Sequence, residues 1–256
     1  MNYELWKKLI NHAISWRDFI LDLIFPVECL GCGREDIWLC APCFQKLKVK
    51  AGQYCLACKK ENKLGEFCSE CRREYFLDGC LIAGDYEDEL LAGLIKNFKY
   101  RFIKNFGVEL GRFLFLFTRQ LESQAVDLSW QVKRRDFLFA LKDNLVAAVP
   151  LSGKRERWRG FNQAEILKRE LMGGETGDAA GELVRIKHTK PQAKLGEVER
   201  RENVKNCFIW EGENLAGKNV VLIDDVVTTG ATLNECARVL KENGAGKVWG
   251  LVVAKG

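Results

Sequence analysis

Eight cysteines stand as four C-x-x-C pairs between residues 29 and 71: Cys29/Cys32, Cys40/Cys43, Cys55/Cys58 and Cys68/Cys71. No other feature constrains the folding of this chain as tightly. A C-x-x-C turn points two thiolates at one ion, and two such knuckles close a tetrahedral site with Zn–S near ~2.3 Å. The four pairs therefore predict two structural zinc ions. A site filled by four thiolates has no open position, so this metal holds structure and does no chemistry. Redox pairs are the competing reading, but a thioredoxin-type motif normally occurs once, near a βαβ pattern. The spacing leaves the pairing open, either two sequential sites over 29–43 and 55–71 or an interleaved cross-brace. Cys80, Cys207 and Cys236 stand alone and read as small core residues.

A disulfide framework would need an oxidising compartment and usually a leader peptide. The start of the chain shows no clean apolar h-region and no small-residue cleavage site. Segment Leu5–Phe25 is apolar at helical spacing, but Lys7, Lys8, Arg17, Asp18 and Asp22 interrupt it. It reads as an amphipathic helix that docks on its own protein or on a partner surface, and it is too charged to span a bilayer. The expected location is the reducing cytoplasm. The formal net charge is +5. Two zinc ions, each held by four thiolates, would lower it to about +1, so bulk charge does not mark a nucleic-acid coat.

Three segments follow: an amphipathic start over 1–28, a cysteine-rich module over 29–75, and an alternating α/β domain over 79–256. In the last, Cys80–Ala83 reads as a strand and Glu89–Phe117 as helix-prone. Asn144–Val149 is a buried strand, Gly160–Met172 a helix, and Gly173–Gly177 a loop. Val220–Ile223 is a continuous apolar strand of the kind found inside parallel sheets, and Val248–Val253 is another. Thr232–Glu242 is a helix stopped by Asn243-Gly244. The stretch Glu122–Lys142 fits no element. Alternation of this kind predicts a parallel sheet flanked by helices.

The strongest chemical signal is the block Val220–Thr232. An apolar strand leads into Asp224-Asp225, then into Thr228-Thr229-Gly230-Ala231-Thr232, where a helix begins. That order puts unpaired backbone N–H groups and the positive helix end around one small site, suited to a phosphate monoester. The threonine hydroxyls add donors, and Gly230 lets the backbone approach closely. No Lys follows the glycine, so this is not a Walker A loop. Two carboxylates beside a phosphate suit vicinal sugar hydroxyls, which makes a ribose 5-phosphate the expected ligand. A second basic stretch, Lys154–Arg159, follows the strand that ends at Pro150 and could hold a pyrophosphate.

The double-Asp, Thr-Thr-Gly-x-Thr block resembles the phosphoribosyltransferase family. Arg159-Gly160-Phe161-Asn162-Gln163, Thr189-x-Pro191-Gln192-Ala193, Arg200-Arg201-Glu202-Asn203-Val204, Phe98-Lys99-Tyr100 and the N-terminal cysteine pairs narrow the likeness to the ComF family. The likeness covers nearly the whole chain. One departure is Ser152-Gly153, where the family leads one to expect His-Pro. The resemblance implies a type I phosphoribosyltransferase-like sheet behind a small zinc-ribbon module. It implies binding of phosphoribosyl pyrophosphate (PRPP) with magnesium, and a part in DNA uptake by competent bacteria. In that reading Asp224 and Asp225 hold the ribose, Thr228–Thr232 the 5-phosphate, and Lys154 and Arg155 the pyrophosphate. The polar stretch His188–Asn203 is similar to a loop that closes over PRPP, with Lys194, Arg200 and Arg201 as charge stabilisers. The implied activity is transfer of the phosphoribosyl group, with a base-salvage enzyme as a lesser alternative. A non-catalytic adaptor that binds PRPP and single-stranded DNA is the other reading. Its partner would be the DNA-translocating ATPase of the competence machinery, and Trp38, Phe44, Tyr54, Phe67 and the runs Lys96–Lys104 and Lys154–Arg159 would be its DNA-facing residues.

Overall fold

The computed structural model describes residues 27–62, 64–101, 103–125, 144–174, 181–189 and 196–256. The amphipathic start, the stretch 126–143 and Lys194 lie outside them. The chain divides into two units, Met1–Leu47 and Lys48–Gly256. The boundary falls between the two pairs of cysteine knuckles. The reason is apolar content: Leu56 and Phe67, from the second pair, are buried in the core of the larger unit.

The first unit holds a short helix, α1 (Ala41–Phe44), which follows Cys40 and carries Cys43. The second begins with a two-residue hairpin, β1 (Gln53–Tyr54) against β2 (Glu61–Asn62). Its centre is a parallel sheet of four strands in the order β3-β8-β7-β4: Gly79–Asp85, Val248–Lys255, Val220–Val227 and Leu145–Ala148. β3, β7 and β8 are buried almost throughout, as expected for strands covered on both faces. Helices α3 (Asn105–Ala125) and α5 (Gln163–Leu171) pack on each other and on one face, and α2 (Glu89–Tyr100) packs on α3. On the other face lie α7 (Ala231–Glu242), the antiparallel hairpin of β5 (Gly181–Arg185) and β6 (Phe208–Gly212), and the second cysteine knuckle. α4 (Gly153–Arg159) follows β4, and α6 (Glu197–Val204) precedes β6.

The α/β class and the parallel sheet expected from the sequence are present. Three details differ. The helix-prone run from Glu89 is two helices, broken at Arg101–Lys104. The strand of the double-Asp block does not stop at Ile223 but continues through Val227, paired with β8 as far as Lys255. The β-branched Val226 and Val227 sustain the ladder past the acids. The β5–β6 hairpin has no counterpart in the sequence reading. Its apolar Leu183, Phe208 and Trp210 are embedded in short polar strands and become legible only as part of a shared core.

Candidate functional site: two cysteine clusters and a phosphate-type loop

The cysteine pairing is sequential. Cys29, Cys32, Cys40 and Cys43 gather in one cluster and Cys55, Cys58, Cys68 and Cys71 in another, with all sulfurs of a cluster within 4.8 Å of one another. The Cys29–Cys40 and Cys32–Cys40 sulfurs are 3.6 Å apart, and the Cys58–Cys68 sulfurs 3.8 Å apart. A tetrahedron with Zn–S of ~2.3 Å has edges of about 3.8 Å, so both clusters fit structural zinc. Each knuckle presents backbone N–H groups to its first sulfur. Burial pushes the Cys29 thiol up, but N–H groups of Cys40, Gly31 and Cys32 outweigh it and bring it down to about 6. Cys55 follows the same pattern and falls to about 7, through Cys58, Cys68 and Ala57. Thiolates prepared in this way are what a metal needs as ligands.

The phosphate-type loop lies at the carboxyl end of β7, on the sheet edge where open α/β folds bind ligands. Gly230 caps α7 in the left-handed region at φ +77°. A side chain there would be strained by the backbone, and its Cβ would sit 2.5 Å from Leu56 Cδ2. The Thr229 hydroxyl accepts from the Ala231 N–H at 3.4 Å, and Thr228 and Thr229 are half-buried. α7 begins at this loop, so the positive end of its dipole lies there.

The two acids differ. Successive residues of a strand face opposite sides. Asp225, 5% exposed, faces α2, where its Oδ1 lies 2.9 Å from Lys99 Nζ. Burial pulls the Lys99 pKa down, but Asp225 outweighs it and holds the ammonium above its ordinary value. Asp224 is half-buried, and its Oδ1 accepts from the Asp225 N–H at 2.8 Å. Burial, and then the charge of Asp225, push the Asp224 carboxyl up to about 7. The block is thus one ion-paired carboxylate and one carboxyl poised to titrate.

The Arg-Gly-Phe-Asn-Gln stretch has a physical reason at each position. Arg159 Nη1 donates to Gln163 Oε1 at 2.8 Å, and the Arg159 guanidinium lies 5.8 Å from the Tyr100 ring centre. Gly160 ends α4 at φ +77°. Phe161 stacks on Phe98 at 5.4 Å. Asn162 caps α5 by accepting from the Ala164 N–H, and its own amide donates to Val149 O. The motif therefore fastens the loop after β4 to α2 and α5. In the first turn of α4 Lys154 is exposed and Arg155 half-buried. Burial, then the nearby charges of Arg185 and Arg159, lower the Arg155 pKa.

The sequence gives no sign of Arg185. It closes β5, donates to Thr189 Oγ1 at 2.6 Å and to Lys187 O at 3.2 Å, and stacks over Phe208 at 5.2 Å. His188 Nδ1 is hydrogen-bonded to Ser152 Oγ at 2.9 Å, which ties the stretch after β5 to the loop after β4 at the residue where the family pattern is broken. Burial, and then Lys154, Arg155 and Arg185, hold His188 below its ordinary pKa. Lys154, Arg155, Arg159, Arg185 and His188 thus form one basic neighbourhood, and its mutual repulsion suits a polyanion.

The remaining candidates lie on or next to α6 and α2 and among the cysteine knuckles. Arg201 of α6 donates to Tyr75 Oη at 2.5 Å and lies 3.9 Å from Glu74, beside the second knuckle. Arg200 is on the same helix, half-buried. The basic run Lys96–Lys104 is not a continuous charged stripe, because Lys99 is spent on Asp225 while Lys96 and Lys104 lie over Tyr86 and Phe161. Phe44 and Phe67 are buried, and Phe67 stacks on Tyr75 at 4.3 Å. Among the described residues no helix is long and apolar enough to cross a membrane.

Comparison with known proteins agrees with this geometry. Residues 20–79 match the model of a double zinc ribbon domain, and residues 159–255 that of a phosphoribosyl transferase domain. "Competence protein F" of Haemophilus influenzae is 31% identical over 235 residues, 88% of this chain and 90% of the relative. "DNA utilization protein YhgH" of Escherichia coli (strain K12) is 39% identical over 116 residues, 45% of this chain and 50% of the relative. "Competence protein ComFC" of Bacillus subtilis (strain 168) is 39% identical over 104 residues, 40% of each chain. With two four-cysteine clusters and a parallel sheet that carries the double-Asp loop, the chain belongs to the ComF family of phosphoribosyltransferase-domain proteins.

Proposed function

We propose that this chain binds PRPP with magnesium at the carboxyl edge of its sheet and transfers the phosphoribosyl group to a nitrogen acceptor. The names of its relatives, two competence proteins and a DNA utilization protein, support a part in DNA uptake or use, and the expected location is the cytoplasm. The observation that carries the reading is the end of β7, where Asp224 and Asp225 run into Thr228–Thr232 and the left-handed Gly230 opens a twelve-residue helix.

The roles follow from position. Thr228, Thr229, Gly230, Ala231 and Thr232 hold the 5-phosphate through amides and hydroxyls. Asp224 is the acid that meets the ribose hydroxyls most directly, and Asp225 stands behind it with its charge balanced by Lys99. Lys154 and Arg155 meet the pyrophosphate, joined by Arg185. Magnesium supplies charge neutralisation on the pyrophosphate oxygens. As the bond from the anomeric carbon to pyrophosphate lengthens, positive charge grows on the ribose and negative charge on the leaving group. Fixed cations and tight positioning stabilise that separation. Lys194 and Arg200 are assigned to the closing stretch as additional charge stabilisers. PRPP–magnesium titration by calorimetry, followed by a pyrophosphate-release assay across candidate bases, tests the reading. Heat without turnover would leave a binding protein, and no heat would remove the site.

A second reading, the DNA-binding adaptor, draws support from one surface feature. Trp158 and Tyr100 are 61% and 58% exposed and flank Arg159, an aromatic and basic arrangement on which bases can stack. Its partners would be single-stranded DNA and the DNA-translocating ATPase. Binding of an oligonucleotide that falls steeply with salt, and that weakens in Trp158→Ala, supports it.

A further inference from the structure

The second cysteine knuckle is built into the sugar-phosphate site. Leu56 stands between the ligands Cys55 and Cys58, is 4% exposed, and shares one core with Val227, Ala231 and Leu233, which flank the phosphate-type loop. Its Cδ2 occupies the space that a side chain at residue 230 would need. Loop and knuckle are therefore in direct van der Waals contact at the one position where the loop backbone is left-handed.

Two further ties hold the knuckle to the same helix and sheet. Asn234, one turn into α7, accepts at Oδ1 from the N–H groups of Phe76 at 2.8 Å and Leu77 at 3.2 Å, just after the last ligand turn. Asp78 is a buried junction. Its Oδ1 takes Arg72 Nη2 at 2.6 Å, and its Oδ2 takes the Val248 N–H at 2.8 Å and Lys241 Nζ at 2.7 Å. Arg72 is adjacent to the ligand Cys71, Val248 opens β8, and Lys241 is on the last turn of α7. A metal-ordered knuckle is thus braced at the start of α7, at its first turn and at its end. The first cluster, Cys29–Cys43, lies in the other unit.

We propose that Leu56 is a positioning residue for the sugar 5-phosphate, and that metal in the Cys55/Cys58/Cys68/Cys71 cluster sets the geometry of the Gly230 loop while metal in the first cluster does not. This rests on the phosphate assignment given under Proposed function. A metal-free knuckle releases Leu56 from its ligand turn, the loop loses its wall, and the amides that meet phosphate are no longer fixed.

Calorimetry of the full chain with two probes, ribose 5-phosphate and inorganic pyrophosphate, tests it. Leu56→Ala should keep two zinc ions by elemental analysis and weaken ribose 5-phosphate by about tenfold or more. Pyrophosphate affinity should stay within about twofold, because its basic neighbourhood is built on the loops after β4 and β5. Leu56→Met, close in volume, should restore ribose 5-phosphate binding. Cys58→Ser should lose one zinc and the ribose 5-phosphate affinity, whereas Cys32→Ser should lose one zinc and keep the affinity. Unchanged ribose 5-phosphate binding in Leu56→Ala overturns the inference, as does equal loss of both probes, which marks general damage. A wild-type chain that binds neither probe refutes the phosphate assignment itself, and the inference with it.

Discussion

Lys99 Nζ lies 2.9 Å from Asp225 Oδ1, and both side chains are largely shielded, at 18% and 7% exposure. The pair joins α2 to the acidic end of β7. Removing one partner of a shielded pair strands the other. Lys99→Met should therefore destabilise the fold by about 3 kcal/mol, and Lys99→Met with Asp225→Leu should recover most of that loss. Urea unfolding of the two single variants and the double variant gives the coupling directly.

The acids should also govern the ligand. Asp224→Asn together with Asp225→Asn keeps the shape of the end of β7, removes the negative charge, and replaces one acceptor oxygen of each acid with a donor where ribose hydroxyls would bind. Calorimetric affinity for PRPP with magnesium should vanish while far-UV circular dichroism stays native. Unchanged affinity would refute the assignment of this edge.

Asp224 makes stability depend on pH. Its carboxyl is pushed from an ordinary value of 3.8 up to about 7, mainly by burial and then by Asp225. Between those values the unfolded chain has released this proton and the folded chain retains it. Its contribution is full below about pH 4 and is lost as pH rises toward 7. In Asp224→Asn, the slope of unfolding free energy across that window should become less negative by about one proton. Wild-type and variant curves of equal slope would contradict the shift.

Elemental analysis should return two zinc ions per chain, one per cluster. Cys32→Ser and Cys58→Ser, both at exposed ligands, should each return about one. A folded sample with none would overturn the metal assignment.

Arg185 offers a check on the pyrophosphate neighbourhood. Arg185→Ala should weaken inorganic pyrophosphate by about tenfold, the scale of one charge-assisted hydrogen bond. Arg185→Lys should recover only part, because an ammonium lacks the planar fork.

What the sequence revealed and what it hid follow from range. The C-x-x-C turns and the Val220–Thr232 block are local, since each needs only neighbours at fixed offsets: the eight cysteines gather in two clusters, and the block folds as strand, loop and helix, with the strand running on to Val227. Lys99 is different. In sequence it belongs to a basic run, and only the packing of α2 beside β7 shows that its charge is already engaged. Arg185 sits in a short strand with no periodicity of its own, and its role depends on Thr189, Phe208 and the loop after β4. Arg201 looks like a site cation by composition, yet its partners Tyr75 and Glu74 lie beside the second knuckle. The two knuckle pairs look alike in sequence, and only the burial of Leu56 and Phe67 shows that the second one enters the larger core.

The strand order carries one last consequence. β3 and β7 do not touch each other, and β8, the last of the described strands to be made, lies between them. A nascent chain can load both cysteine clusters and form its helices while the middle of the sheet is still missing. Closure therefore waits on the ribosome, and the apolar flanks of β3 and β7 remain open until Val248–Lys255 emerges. Nascent chains stalled before residue 248 should bind zinc yet remain sensitive to protease throughout the α/β unit.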